Sequence, residues 1–265
     1  MSRSDLSGQV RRLWHARFPD FARCQSLVRH LTDGGHRRFT VLFHPSRERL
    51  QALNTTLPAG DGPCPLDTVD PGSALHFRRW IVTPNRFPVQ EEHILLILRE
   101  HRAAVTAADV LDAMAFARET GYRLLLNLRG SGAAVPQHLH WQGLRMTFPI
   151  CRPDCVGELV MEARTVVVNR LAPPWSGRRM LARSAKGCET VAALAVDHDG
   201  PFNLLIDGSA VYTVPRAKEY PSLFPGFKFG GAEVTGVVYA KSMEMLERMN
   251  LDALAGALSE VTATV

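Results

Sequence analysis

Between His93 and Phe148 the apolar residues change period twice, and that change constrains the fold more than any other feature of the chain. "HILLILREH" is an apolar run long enough for a central strand. From Ala103 to Glu119 the spacing turns helical: Val105, Val110, Met114 and Phe116 recur on a helical repeat, with Thr106 and Thr120 near the ends. "YRLLLNL" (Tyr122 to Leu128) and "HLHWQGLRMTF" (His138 to Phe148) return to strand, and a loop rich in glycine and alanine lies between them. Strand, helix, strand, loop, strand predicts an α+β sheet with the helix packed on one face.

The flanks extend this order. Residues 4–31 predict one or two amphipathic helices, with Ser4 as a cap, Leu6, Val10, Leu13 and Trp14 at helical spacing, and an interruption at Pro19. "RFTVLFHP" (Arg38 to Pro45) predicts a strand, Leu57 to Gly72 a loop rich in Pro, Gly and Asp, and "LHFRRWIVTPN" a return to strand from Leu75. A second block starts near Cys151. It holds strand-like runs in "GELVMEARTVVVNRLAPPW", a helix over Lys186 to Val196, and a hairpin "PFNLLIDGSAVYTVPR" closed by Asp207-Gly208. A strand at Ala232 to Tyr239 and a helix from Ser242 to about Thr262 complete it. The second half thus repeats the coarse order of the first without visible sequence identity. The expected organisation is an N-terminal helical segment (1–35) and two similar lobes, 36–150 and 151–265, that share a mostly antiparallel sheet with flanking helices.

Composition narrows the class. The chain has 265 residues, 46% of them hydrophobic and 22% charged, enough to bury a substantial core. Its net charge of +5 comes from scattered arginines rather than a basic block, which favours small anionic substrates over nucleic acid. Five cysteines (Cys24, Cys64, Cys151, Cys155, Cys188) do not make a disulfide framework in a chain this long, so a reducing, cytoplasmic setting is expected. The N-terminus lacks an apolar signal core and "HILLIL" is too short to cross a bilayer, so neither export nor membrane insertion is expected.

The stretch "GSGAAVPQHLHWQG" (Gly130 to Gly143) carries the chemistry. On a strand, His138, His140 and Gln142 point one way and Leu139, Trp141 and Gly143 the other. The preceding loop lets backbone N–H groups approach an anion without side-chain obstruction. Three readings follow. The face is an ordinary polar strand surface; the two imidazoles ligate a metal, which needs at least one further ligand; or one imidazole attacks phosphorus while Gln142 donates to a phosphate oxygen.

"HLHWQ", preceded by "GSGAAVPQ", resembles the HxHxQ signature of the histidine-triad (HIT-like) superfamily's transferase branch, which includes galactose-1-phosphate uridylyltransferase, ATP adenylyltransferase (diadenosine tetraphosphate phosphorylase) and the GDP-hexose phosphorylases. "NRFPVQEEHILLI" (Asn85 to Ile97) is similar to the family's N-x-F-P segment and the strand after it. Asn127 matches a phosphate-side asparagine, and "FNLLIDGSAVYTVPRAKE" (Phe202 to Glu219) resembles the phosphorylases' hairpin. These ordered segments span roughly Thr40 to Met249.

The resemblance implies a HIT-like fold and a ping-pong nucleotidyltransferase. His140 matches the nucleophile that becomes nucleotidyl-histidine, and His138 its structural or metal-side neighbour. Gln142 matches the residue that replaces the hydrolases' third histidine; a carboxamide holds a phosphate oxygen but does not exchange a proton as imidazole does. The covalent state would therefore wait for a phosphate or sugar-phosphate acceptor. Asn85, Asn127 and the backbone of Gly132 and Ala133 are the implied substrate contacts, joined by Arg47 at the end of the first strand and by Asn203, Arg216 and Lys218 in the hairpin. The implied substrates are a nucleoside polyphosphate or nucleotide sugar and phosphate or a phosphorylated acceptor, handled by a monomer or homodimer.

Two departures stand out. Relatives carry a serine in the loop where this chain has Ala134, so a phosphate-binding hydroxyl is missing unless Ser131 takes its place. The uridylyltransferases also bind a structural metal through a CxxC, a later His and the first His of HxH. Here the corresponding segment reads "CPLD", which leaves Cys64, Asp67, His101 and His138 as one S, one O and two N donors, a set zinc tolerates; metal-free relatives also exist. Mg²⁺ would arrive with the nucleotide, since no acidic cluster offers it a separate site. The alternatives are a metal-dependent enzyme with His138 and His140 both as ligands, or a non-catalytic nucleotide-binding module.

Overall fold

The computed structural model describes residues 5–19, 21, 26–45 and 64–263. Its centre is the segment with the changing period. Strand β5 (Ile94–Leu98) is followed by helix α2 (Ala107–Thr120), then β6 (Arg123–Asn127) and β7 (His140–Leu144). Local chemistry sets the ends of α2. The Thr106 hydroxyl accepts from Asp109 N–H while the Asp109 carboxylate accepts Thr106 N–H at 2.7 Å, and Gly121 closes the helix with φ 76°.

Upstream lie α1 (Asp5–Arg17), β1 (Leu27–Thr32), β2 (Arg38–Phe43), β3 (Leu75–Phe77) and β4 (Trp80–Pro84). Downstream come β8 (Val156–Glu162), β9 (Val166–Leu171), β10 (Arg178–Ala182), α3 (Ala185–Val196), β11 (Phe202–Asp207) and β12 (Ala210–Pro215). The chain ends with α4 (Gly231–Val234), β13 (Val237–Tyr239), α5 (Met243–Arg248) and α6 (Leu251–Val261).

Among the described residues, ten strands make one antiparallel sheet in the order β3-β4-β5-β7-β6-β11-β12-β10-β9-β8. From either edge inward, the strands of each half follow the same order: first, second, third, fifth, fourth in sequence, with a helix after the third. The sheet is thus made of two halves of like strand order, joined where β6 pairs with β11. β1, β2 and β13 form a separate three-stranded sheet in which β13 runs parallel to β2.

The large sheet is buried on both faces. Leu124, Leu126 and Trp141 join one core with α1, α2 and α3, while Leu125, Leu205 and Tyr212 join another with β2, β13 and α6. This explains why "LLL" in β6 reads as a run rather than an alternation. Trp141 is fully buried, and losing its side chain would cost about 3–5 kcal/mol. Among the described residues, no helix is long and apolar enough to cross a membrane.

Three expectations need correction. Residues 27–32 are a strand, not helix, because "LVRHLT" pairs residue for residue with Arg38 to Phe43, and these tertiary hydrogen bonds override the local helical reading. Within Ala232 to Tyr239 only Val237–Tyr239 is extended, since Gly231–Val234 closes a helical turn capped by the Glu233 carboxylate on Gly230 N–H. The C-terminal helix is broken at Met249-Asn250, where the Asn250 side chain caps α6.

Candidate active site at the start of β7

Strand β7 begins at His140, so the alternation read from sequence applies to His140, Trp141 and Gln142, and His138 precedes the strand. In the ladder Ile97 pairs with His140, and Leu125 with Gln142. Extending the β6–β7 register by one step sets Asn127 opposite His140, and Asn127 pairs in turn with Asn203. The lobe junction thus carries a polar row, His140, Asn127, Asn203, through an apolar sheet.

His140 is buried, and its Nδ1 lies 2.8 Å from the carbonyl oxygen of His138. A carbonyl only accepts, so Nδ1 carries the proton and Nε2 holds the lone pair. Burial pushes the imidazole below the ordinary histidine value, with the His138 carbonyl acting in the opposite direction. A neutral imidazole of fixed tautomer is what nucleophilic attack requires. Gln142, half-buried, follows on the same strand face.

Asn127 is oriented by its neighbours. Its Oδ1 accepts from Gly231 N–H at 2.6 Å and Asn203 Nδ2 at 2.8 Å, and since a backbone N–H is only a donor, that atom must be oxygen. Nδ2 is therefore the donor end of the side chain, on a residue that the extended register sets opposite His140. Asn203 Nδ2 also donates to the Ser131 carbonyl at 2.8 Å, tying the loop to the same row.

The loop itself turns through Gly130 and Gly132, with φ of 78° and 98°. Only glycine fits the second position, where a Cβ would stand 2.5 Å from the Gly230 Cα. Ser131 is fully buried, and its hydroxyl is tied to the Leu128 backbone, accepting from N–H at 2.7 Å and donating to the carbonyl at 3.0 Å. It does not supply the hydroxyl missing at Ala134, which is exposed. Ala133 is buried, with its N–H 3.4 Å from the Leu128 carbonyl, and Gly132 N–H donates to Glu219 at 2.8 Å.

Other sequence-derived residues lie further back. Arg216 is buried behind the loop, with its five N–H groups directed at the carbonyls of Val261, Ser131, Lys218 and Phe229 and at Asn203 Oδ1. Burial draws its guanidinium down to about 10, opposed by Glu233 and Glu219. Lys218 pairs with Glu260 on the surface. Asn85 holds the turn after β4, accepting from Phe87 N–H and contacting the His93 ring, and lies past the Pro84–Ile94 pair at the far end of β5 from the Ile97–His140 pair. Arg47 lies outside the described residues.

A second cluster adjoins the first. Cys64, Asp67, His101 and His138 bring four donor atoms within 4.8 Å of one another. His138 Nε2 donates to the Leu98 carbonyl at 2.7 Å, and its Nδ1 lies 3.1 Å from the Asp67 carboxylate and 3.5 Å from Cys64 Sγ. His101 contacts the Asp67 carboxylate at 2.9 Å. His140 is not in this cluster.

Sequence reasoning missed Glu219 and Lys228 as neighbours of the loop. Lys228 Nζ lies 3.4 Å from both the Ala133 carbonyl and Glu219 Oε2. The one local signal was the glycine-rich "FPGFKFGG", whose Gly230 packs against Gly132.

No protein-family profile matches the sequence, and no curated protein is significantly similar to it. Solved structures do match. Yeast Ap4A phosphorylase Apa2 in complex with Ap4A superposes with a TM-score of 0.70 at 15% identity, over 100% of this chain and 99% of that one. The same protein in complex with AMP gives 0.69 at 18% identity, over 98% and 97%. End to end, the chain has the fold of yeast Ap4A phosphorylase, with His140 and the glycine loop meeting where its two lobes join.

Proposed function

We propose that the chain is a phosphorylase-type nucleotidyltransferase that works through a nucleotidyl-His140 intermediate. The observation that carries this is the 2.8 Å bond from His140 Nδ1–H to the His138 carbonyl, which leaves Nε2 as an unprotonated nucleophile in a buried site. Nε2 attacks the α-phosphorus of a nucleoside polyphosphate. An N–P bond forms as the bridging O–P bond breaks, and the leaving phosphate chain takes the electron pair. An acceptor phosphate oxygen then attacks the same phosphorus and expels the imidazole, releasing the nucleotidylated acceptor, a nucleoside diphosphate when the acceptor is inorganic phosphate. Asn127 Nδ2 and Gln142 donate to the α-phosphate oxygens, and Gln142 cannot shuttle the proton that would activate water. The likeness to an Ap4A phosphorylase supports an adenine nucleotide as donor. The different surroundings of the two histidines weigh against a catalytic metal shared by both.

The Cys64 cluster fits a structural zinc. One thiol, one carboxylate and two imidazoles are suitable donors, and the Leu98 carbonyl orients His138 as such ligands are commonly oriented. Bound there, zinc would cross-link the Cys64–Asp67 turn, the residues after β5 and the residue before β7. That would steady the His138 backbone, whose carbonyl holds His140.

The deciding experiment is incubation with α-labelled ATP, diadenosine tetraphosphate and nucleotide sugars, followed by intact-protein mass measurement. The expected result is one NMP adduct, labile in acid and stable in alkali, that is absent from His140→Ala. Wild-type protein that neither gains an adduct nor turns over any donor would overturn the reading.

A further inference from the structure

The Gly132 N–H, a natural donor to a phosphate oxygen, is already engaged by a carboxylate. It donates to Glu219 Oε1 at 2.8 Å, and Glu219 Oε2 lies 3.4 Å from Lys228 Nζ. Both side chains are partly open to solvent, 23% for Glu219 and 33% for Lys228, so an incoming ligand can reach them. The two partners differ in rigidity. Gly132 is held at φ 98° against Gly230, and the carbonyl next to it, that of Ser131, accepts from Asn203 and Arg216. Glu219 is the end of a flexible side chain whose oxygens make these contacts to the loop and to Lys228.

We propose that Glu219 is an exchangeable stand-in for a substrate phosphate. Its carboxylate caps Gly132 N–H and engages Lys228, and an arriving phosphate group displaces it and takes over both partners. Charge dictates the exchange, because a phosphate dianion and a carboxylate repel each other at one donor, and Lys228 gains more from the higher charge. Glu219 thereby lowers the affinity of the loop for phosphate and sharpens selection for groups charged enough to move it. The inference rests on reading this loop as the phosphate cradle of the proposed transferase.

Calorimetric titration of wild type, Glu219→Gln and Glu219→Ala with inorganic phosphate and, separately, with AMP tests it. The Gln variant keeps an oxygen for Gly132 N–H and loses only the charge, and its melting temperature reports whether the loop survives. Phosphate binding tighter by about tenfold in Glu219→Gln is expected. Tightening of AMP as well assigns the displacing group to the nucleotide, whereas tightening of inorganic phosphate alone assigns it to the acceptor. If neither ligand tightens with Gln, or both weaken with Ala as for a mere strap, the inference fails. Because the His140 adduct is measured independently, an adduct without tightening overturns only this inference, and tightening without an adduct overturns only the nucleophile.

Discussion

Arg216 donates a 2.7 Å hydrogen bond to Asn203 Oδ1, which leaves the amide of Asn203 to hold Asn127 and the Ser131 carbonyl. Arg216 is 5% exposed, with its remaining N–H groups on backbone carbonyls. Arg216→Lys supplies three donors where five are used, and Arg216→Ala none. Chemical denaturation should show a loss of about 2–3 kcal/mol for Lys and more for Ala, since each buried carbonyl left unpaired is costly. Loss of stability below 0.5 kcal/mol in both would contradict this bonding.

Asn127→Asp separates orientation from chemistry. The aspartate still accepts from Gly231 N–H and Asn203, so the fold should melt within a few degrees of wild type. In the proposed transferase it also replaces an amide that would donate to the α-phosphate with a carboxylate that would repel it. Nucleotidylation of His140 should slow by about 100-fold, read in single-turnover mass measurements.

His140 is expected to be active as the neutral imidazole, with its pKa held below the ordinary value near 6.5 by burial. The acid limb of the pH profile for adduct formation should therefore fall below pH 6.5 rather than at it. Stability follows the same sign: the folded state resists protonation, so acidification below the unfolded value favours unfolding. His198, lowered chiefly by burial and by Arg178, adds to that trend. His140→Asn should flatten part of the decline in melting temperature that sets in as the pH falls below the unfolded value of 6.5.

Metal content is the fourth test. Protein purified without chelator should hold one zinc per chain, and Cys64→Ser with His101→Ala should lose it. Removal by a strong chelator should lower the melting temperature by several degrees and weaken His140 nucleotidylation without abolishing it, because the metal would act on the His138 backbone and not on substrate. Metal-free protein of unchanged stability would argue for a plain Asp67–His101 ion pair instead.

What the sequence by itself determined was local. The capping box at Thr106, the glycine C-cap at Gly121, the Asp207-Gly208 hairpin and the apolar runs of β5, β6 and β11 depend on hydrogen bonds and periodicity within a few residues. The repeated coarse order of elements followed from those signals, whereas the order of the strands within the sheet came from their pairing. Tertiary structure decided whatever needed partners far along the chain. "LVRHLT" became a strand because β2 was there to pair with it, and Cys64 met His138 across 74 residues. Glu219 reached Gly132 across 87 residues, and Arg216 closed on Ser131 across 85. Spacing in a sequence encodes which face a residue presents, but not which distant donor or acceptor waits there. Motif likeness grouped Asn203 and Arg216 with substrate contacts, and burial instead set them behind the loop, holding the glycines and Asn127 in place around His140.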